Sequence, residues 1–180
     1  MLAKQLPEPV LAVFRQGRTA EFTTLNKSGA PVTWPTLPFF DEATDRFIVT
    51  TSIAFPDKVY NVRRTPRVAL HYSDPTGSGL AAPPIVLIQG DAVAPDEIRT
   101  EIAGFEPQLR EVFRRQPSSK IYSANALTRY LFDWYYMRLT ITITPRRILW
   151  WPGGDQSQLP LSLEVAQPVT AKDKGGTHVE

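Results

Sequence analysis

The chain of 180 residues contains no cysteine. That absence excludes disulfides, thiol nucleophiles and thiolate-bound metals. Histidine is nearly as scarce. His71 and His178 stand far apart in the sequence, and the pair does not make a metal-ligand set. No apolar run approaches the roughly 20 residues that a membrane-spanning helix needs. The N-terminal "MLAKQLPEPVLAVFRQGR" lacks the apolar stretch and small-residue cleavage site of a secretory signal, so a cytoplasmic protein with no membrane partner is expected. Strong charge of one sign is missing as well, the formal net charge being +2. "RRTPR" has neither a wide basic face nor stacking aromatics around it, so nucleic acid is not an expected partner. No Ser-His-acid set stands at a meaningful spacing, and "DPTGSG" has neither the lysine nor the spacing of a Walker loop.

What remains is the material of one ordered domain. Hydrophobic residues make up 42% of the chain, enough to build a core at this length. "EPVLAVFRQ" places Val10, Val13 and Phe14 on one helical face, and Gly17 is a natural stop. "TAEFTTLN" and "PVTWPTLPFFD" flank the turn "KSGA" and read as a hairpin, with Pro35 and Pro38 suiting an edge strand. "RFIVTTS" is the third strand. "PDKVYNVRR" is a short helix begun by Pro56 and ended by Pro66. "RVALHYSD" is the fourth strand, "PTGSGLAAPP" a loop, and "IVLIQGDAV" an apolar strand in which Gly90 marks a bulge or a close backbone approach. Two helical inserts follow between residues 95 and 136. "RLTITIT" alternates with period two, and "RRILWW" reads as its hairpin partner. If Trp150 and Trp151 lie in a strand they point to opposite faces, so at most one enters the core. Six or seven strands without regular βαβ alternation predict a mainly β, antiparallel split barrel with a short N-terminal helix and helical inserts. The expected domain spans 1–152, followed by an extended or poorly ordered tail over 153–180.

The gap after the third strand carries the chemistry. Thr50, Thr51 and Ser52 offer hydroxyls, a helix start offers N–H groups, and Lys58 adds a full charge. Together these suit a phosphate. The plainer alternative is a strand end followed by a solvated basic helix face. The aromatic run "YLFDWYYM" likewise reads either as packing over a barrel end or dimer seam, or as a surface for ligand stacking.

In order, "GRTAEFTTLNKSGAPVTWPTLPFF", "FIVTTS", "K-x-x-N-V-x-x-x-P-R-V" from Lys58 to Val68, and "VLIQGDAVAPD" resemble the FMN-binding split-barrel family, which includes pyridoxamine 5′-phosphate oxidases and deazaflavin-dependent reductases. The resemblance covers residues 8 to 151. It implies that Thr50, Thr51, Ser52 and Lys58 bind a cofactor phosphate and that Trp34, Pro35 and Thr36 line the flavin ring. It also implies that Gln89 sits near the ring's polar edge, and that Arg138, Trp150 or Trp151 closes the site across a homodimer. Asp57 and Tyr60 stand where the family often has basic residues, and Phe55-Pro56 lengthens the turn by about one residue. Arg63, with Arg64 and Arg67, is placed to restore the missing charge.

The function this implies is a flavoprotein oxidoreductase using FMN, or a deazaflavin coenzyme, to pass hydride equivalents to a small organic substrate, with a nicotinamide as possible donor. Cofactor-borne chemistry also accounts for the lack of an acid–base constellation. The alternative is a non-catalytic carrier of flavin, deazaflavin or haem on the same scaffold.

Overall fold

Alternation of large apolar and polar side chains sets the strands. A computed structural model describes residues 1–99 and 137–166; the two predicted helical inserts fall mainly, and "YLFDWYYM" almost wholly, outside these residues. The strands are β1 (Ala20–Leu25), β2 (Pro31–Thr36), β3 (Phe39–Asp41), β4 (Arg46–Ser52), β5 (Arg67–Tyr72), β6 (Ile85–Val93), β7 (Arg138–Trp151) and β8 (Leu161–Glu164). Among the described residues two α-helices join them, α1 (Glu8–Gln16) and α2 (Asp57–Arg64). All pairings are antiparallel, in the order β2-β1-β5-β6-β7-β4-β3, with β8 added to β7. The architecture is therefore the expected mainly β, antiparallel sheet with a short N-terminal helix.

Every second residue of the central strands turns inward. Phe47 and Val49 on β4, Ile88 on β6, and Ile141 and Ile143 on β7 are fully buried. On α1, Phe14 meets Phe47 edge-on with ring centroids 4.9 Å apart, and Phe40 at 5.2 Å. Edge-to-face geometry of this kind adds to simple area burial. Helix α2 buries Val59 and Val62. Its Asn61, itself buried, donates from Nδ2 to Thr24 Oγ1 at 3.0 Å and so fixes α2 to β1.

One expectation for the C-terminal region changes. "RLTITIT" and "RRILWW" do not fold back on each other but form the single strand β7. The "TP" between them is accommodated by a bulge rather than a turn. Gly90 faces Pro145 while Gln89 faces Arg147, so Arg146 is the extra residue. On its other edge β7 pairs with β4 through residues 138–143 and with β8 through residues 147–150. Pro145, which has no N–H to donate, falls at this changeover, where a ladder is least disturbed. Gly90 also makes the close approach its residue type suggested: a Cβ there would lie 2.5 Å from the Thr144 carbonyl oxygen. Past residue 152 the sheet continues through β8, where Glu164 pairs with Arg147 at 2.8 Å.

Candidate cofactor site

The turn between β4 and α2 is organised by its own hydroxyls. Thr51 is buried at the end of β4, and its Oγ1 donates to the Phe55 carbonyl at 3.0 Å. Ser52 Oγ accepts the Ala54 N–H at 3.3 Å, and the Phe55 N–H returns to the Ser52 carbonyl at 3.0 Å. The extra Phe55-Pro56 length is thus taken up in a closed turn. That turn delivers Lys58 back toward the strand it left. Lys58 Nζ donates to Thr51 Oγ1 at 3.1 Å and stands 5.3 Å from the centre of the Trp34 ring. A cation over an indole face is attracted by the ring quadrupole. Register explains the meeting. Trp34 is opposite Phe22 on β1, so it shares the inward face of the sheet.

Lys58 is half-buried, and burial holds its ammonium below the ordinary lysine value. Asp57 opposes that lowering, and the nearby Arg138 guanidinium adds to it. Asp57 itself is exposed and occupies the first turn of α2, where a carboxylate is favoured by the helix dipole. Its charge serves the helix end. Among the described residues no carboxylate lies within ion-pair distance of Lys58 Nζ. Phe55 and Tyr60, on either side of the lysine, are 66% and 54% exposed.

The other expected residues divide. Thr36 is near Trp34 on β2, and its hydroxyl donates to the Ala20 carbonyl at 3.2 Å. Pro35 is exposed and turns the other way. Thr50 is opposite Thr140, and Ser52 opposite Arg138, both on the strand face away from Thr51. Arg63 is committed elsewhere. It donates to the Ala94 carbonyl at 2.9 Å and the Pro95 carbonyl at 2.7 Å, and pairs with Asp96 at 3.1 Å. It fastens α2 to the end of β6 instead of extending toward Lys58. Arg64 similarly bonds the Leu25 carbonyl and Asn61, and Arg67 pairs with Asp91 at 3.1 Å. Trp150 is buried in the core opposite Val86, and Trp151 is half-buried. Gln89 is exposed in a groove of about 410 Å³ with Arg67, Arg146, Arg147 and Glu164, a groove that neither Lys58 nor Trp34 lines. His71 stands 3.5 Å from Glu21.

No family profile matches the chain, and no curated protein matches it. Solved structures do. General Stress Protein 26 from Bacillus anthracis is 15% identical over 88% of this chain and 97% of its own, with a TM-score of 0.51. A protein of Clostridium acetobutylicum related to general stress protein 26, of the pyridoxinephosphate oxidase family, is 11% identical over 88% of this chain and 92% of its own, with a TM-score of 0.53. An F420 reductase is 17% identical over 79% of this chain and 98% of its own, with a TM-score of 0.52. The chain is a split barrel. At these identities the likeness is one of fold, and the split barrel's activity has to be argued from its own residues.

Two features of the split barrel escaped the sequence. Asn61 is a buried tie, although an asparagine in a basic helix looks like surface. Tyr72 closes β5 against a pocket made by three separate segments, which no local pattern reveals.

Proposed function

We propose that this split barrel binds a phosphorylated flavin or deazaflavin at Lys58, Thr51 and Trp34 and acts as an oxidoreductase on a small organic substrate. The observation that carries the reading is the half-buried Lys58 ammonium, held by Thr51 and Trp34 beside Arg138 without a carboxylate partner among the described residues. A partly desolvated cation in that position gains most from an anionic ligand. The residues fit a phosphate: one ammonium, a second cation nearby, and the Thr51 hydroxyl that already holds the ammonium in place.

Bound there, such a cofactor supplies hydride transfer. The chain supplies position. Lys58 would neutralise phosphate charge, and Thr51, accepting from Lys58 Nζ, fixes the direction of the ammonium. Trp34 offers a flat apolar face to a ring. β2 ends the described sheet order, so one edge of its backbone, from Trp34 to Thr36, faces away from β1 and suits the polar rim of that ring. Exposed Phe55 and Tyr60 beside the cradle suit a second copy of the chain, and a homodimer is part of the proposal.

Absorbance titration with FMN and with a deazaflavin coenzyme tests the reading. One of them is expected to saturate. Lys58→Met is expected to weaken it by about 1.5–3 kcal/mol, the scale of a charged hydrogen bond. Bleaching of the bound flavin by a reduced nicotinamide supports the enzyme, whereas binding without turnover supports the carrier. Failure of both cofactors to bind overturns the proposal. Light scattering at working concentration reads the dimer.

A further inference from the structure

The groove that contains Gln89 lies on the outer face of β1, β5, β6 and β7. Its volume of about 410 Å³ falls in the range of small-molecule sites. Register builds its floor. Thr23 is opposite Ala69, Ala69 opposite Gln89, and Gln89 opposite Arg147. Paired positions share a face, and Ala69, the shortest side chain in this row, leaves the depth. Arg67 on β5 and Arg146, the extra residue of the bulge, add the walls.

Two carboxylates aim the three guanidiniums. Arg67 Nε stands 3.1 Å from Asp91 Oδ1, and Arg146 Nη1 donates to Asp91 Oδ2 at 3.0 Å. Arg147 Nε stands 2.8 Å from Glu164 Oε1. Each pairing uses one nitrogen, so the fork is oriented and keeps other N–H groups to donate. The charges do not cancel. Three cations against two anions leave one positive charge in excess. Arg64 adds to it at the Leu25 end of the groove, because its acceptors, the Leu25 carbonyl and the Asn61 amide oxygen, are neutral. Asp91 Oδ1 is closed off from solvent, and both Asp91 oxygens face cations. An incoming anion therefore meets guanidinium before carboxylate. On the floor, Gln89 is exposed, and its amide makes no hydrogen bond among the described residues. That amide suits a polar body better than an apolar one.

We propose that this groove binds a small hydroxylated organic anion, whose carboxylate or phosphate takes the guanidinium forks of Arg67 and Arg146 and whose polar body lies over Gln89. The site does not depend on the cofactor reading. Glucose 6-phosphate, glucuronate and glucose are matched probes, since they share a sugar body and carry a phosphate, a carboxylate or no charge. In ligand-observed NMR titration of the full chain, at least one of the two anions is expected to saturate and glucose is not. The tighter anion identifies the head group. Arg67→Gln and Arg146→Gln are each expected to weaken it about threefold to tenfold, between the scale of an exposed ion pair and that of a charged hydrogen bond. Ala69→Trp fills the floor without changing charge and is expected to abolish binding. Lys58→Met is expected to leave it unchanged, which separates the groove from the phosphate cradle. Circular dichroism establishes that each variant folds, and the two arginine variants carry the test where Ala69→Trp does not. Binding that survives Arg67→Gln and Arg146→Gln together, loss with Lys58→Met instead, equal binding of glucose, or no saturation by either anion overturns the proposal.

Discussion

Burying an ammonium group without a counter-charge opposes folding. Lys58 is such a group, and the direction of its titration follows. Its folded value lies below the unfolded one, so the unfolded chain keeps the proton to higher pH. Stability then rises with pH from the lowered folded value up to about 10.4. Lys58→Met is expected to be at least as stable as the parent near neutral pH and to lose that rise, read by urea unfolding across pH. The same substitution weakens the proposed phosphate contact, so stability and binding move in opposite directions. A purely structural lysine would lose both. Tyr72 has the opposite sign. Burial pushes its phenol up from the usual value. Past about pH 10 the unfolded chain releases this proton while the folded chain retains it, so stability falls as pH rises. Tyr72→Phe is expected to flatten that alkaline fall, and an unchanged slope would show that the phenol is not buried in solution.

Helix α2 shows how one short element serves both support and site. Its N-terminal turn presents Lys58, while its C-terminal turn is fastened by Arg63 to the carbonyls of Ala94 and Pro95. These roles separate by mutation. Arg63→Ala is expected to lower stability by about 1–2 kcal/mol, from lost hydrogen bonds of a charged donor, and to leave FMN affinity within about twofold. An affinity loss as large as that of Lys58→Met would show that Arg63 also holds the cofactor. At the bulge, Gly90→Ala drives a methyl into the Thr144 carbonyl at 2.5 Å. Backbone atoms cannot step aside as a flexible side chain can. A cost of about 2–3 kcal/mol is expected in chemical denaturation.

Across the whole molecule, local patterns were legible and long-range register was not. Alternation exposed the first half of β7, "RLTITIT", because period two is written in adjacent residues, and β1, β4, β5 and β6 were legible as short runs bounded by turn residues. Gly90 was legible as a bulge or close approach because a glycine inside an apolar strand is a local mark. The "TP" dipeptide misled, since whether proline makes a turn or rides a bulge depends on the neighbouring strand. Trp150 and Trp151 are indistinguishable in sequence; the pairing of Trp150 with Val86 decides which is buried. Arg63 looked available because its carbonyl partners lie beyond β5 and β6. The meeting of Lys58 with Thr51 was legible because the turn between them is short. Trp34 over the ammonium needed both the β1–β2 register and the placement of α2.

β7 stands between β6 on one edge and β4 with β8 on the other. During synthesis it emerges after all the strands of the main order, so until then β4 and β6 each lack a neighbour. The ribosome therefore releases a half-finished sheet with two sticky borders, and closure waits on contacts distant in sequence. A ribosome stalled at residue 137 should hold a protease-sensitive nascent chain, whereas one stalled well beyond residue 166 should hold a resistant barrel.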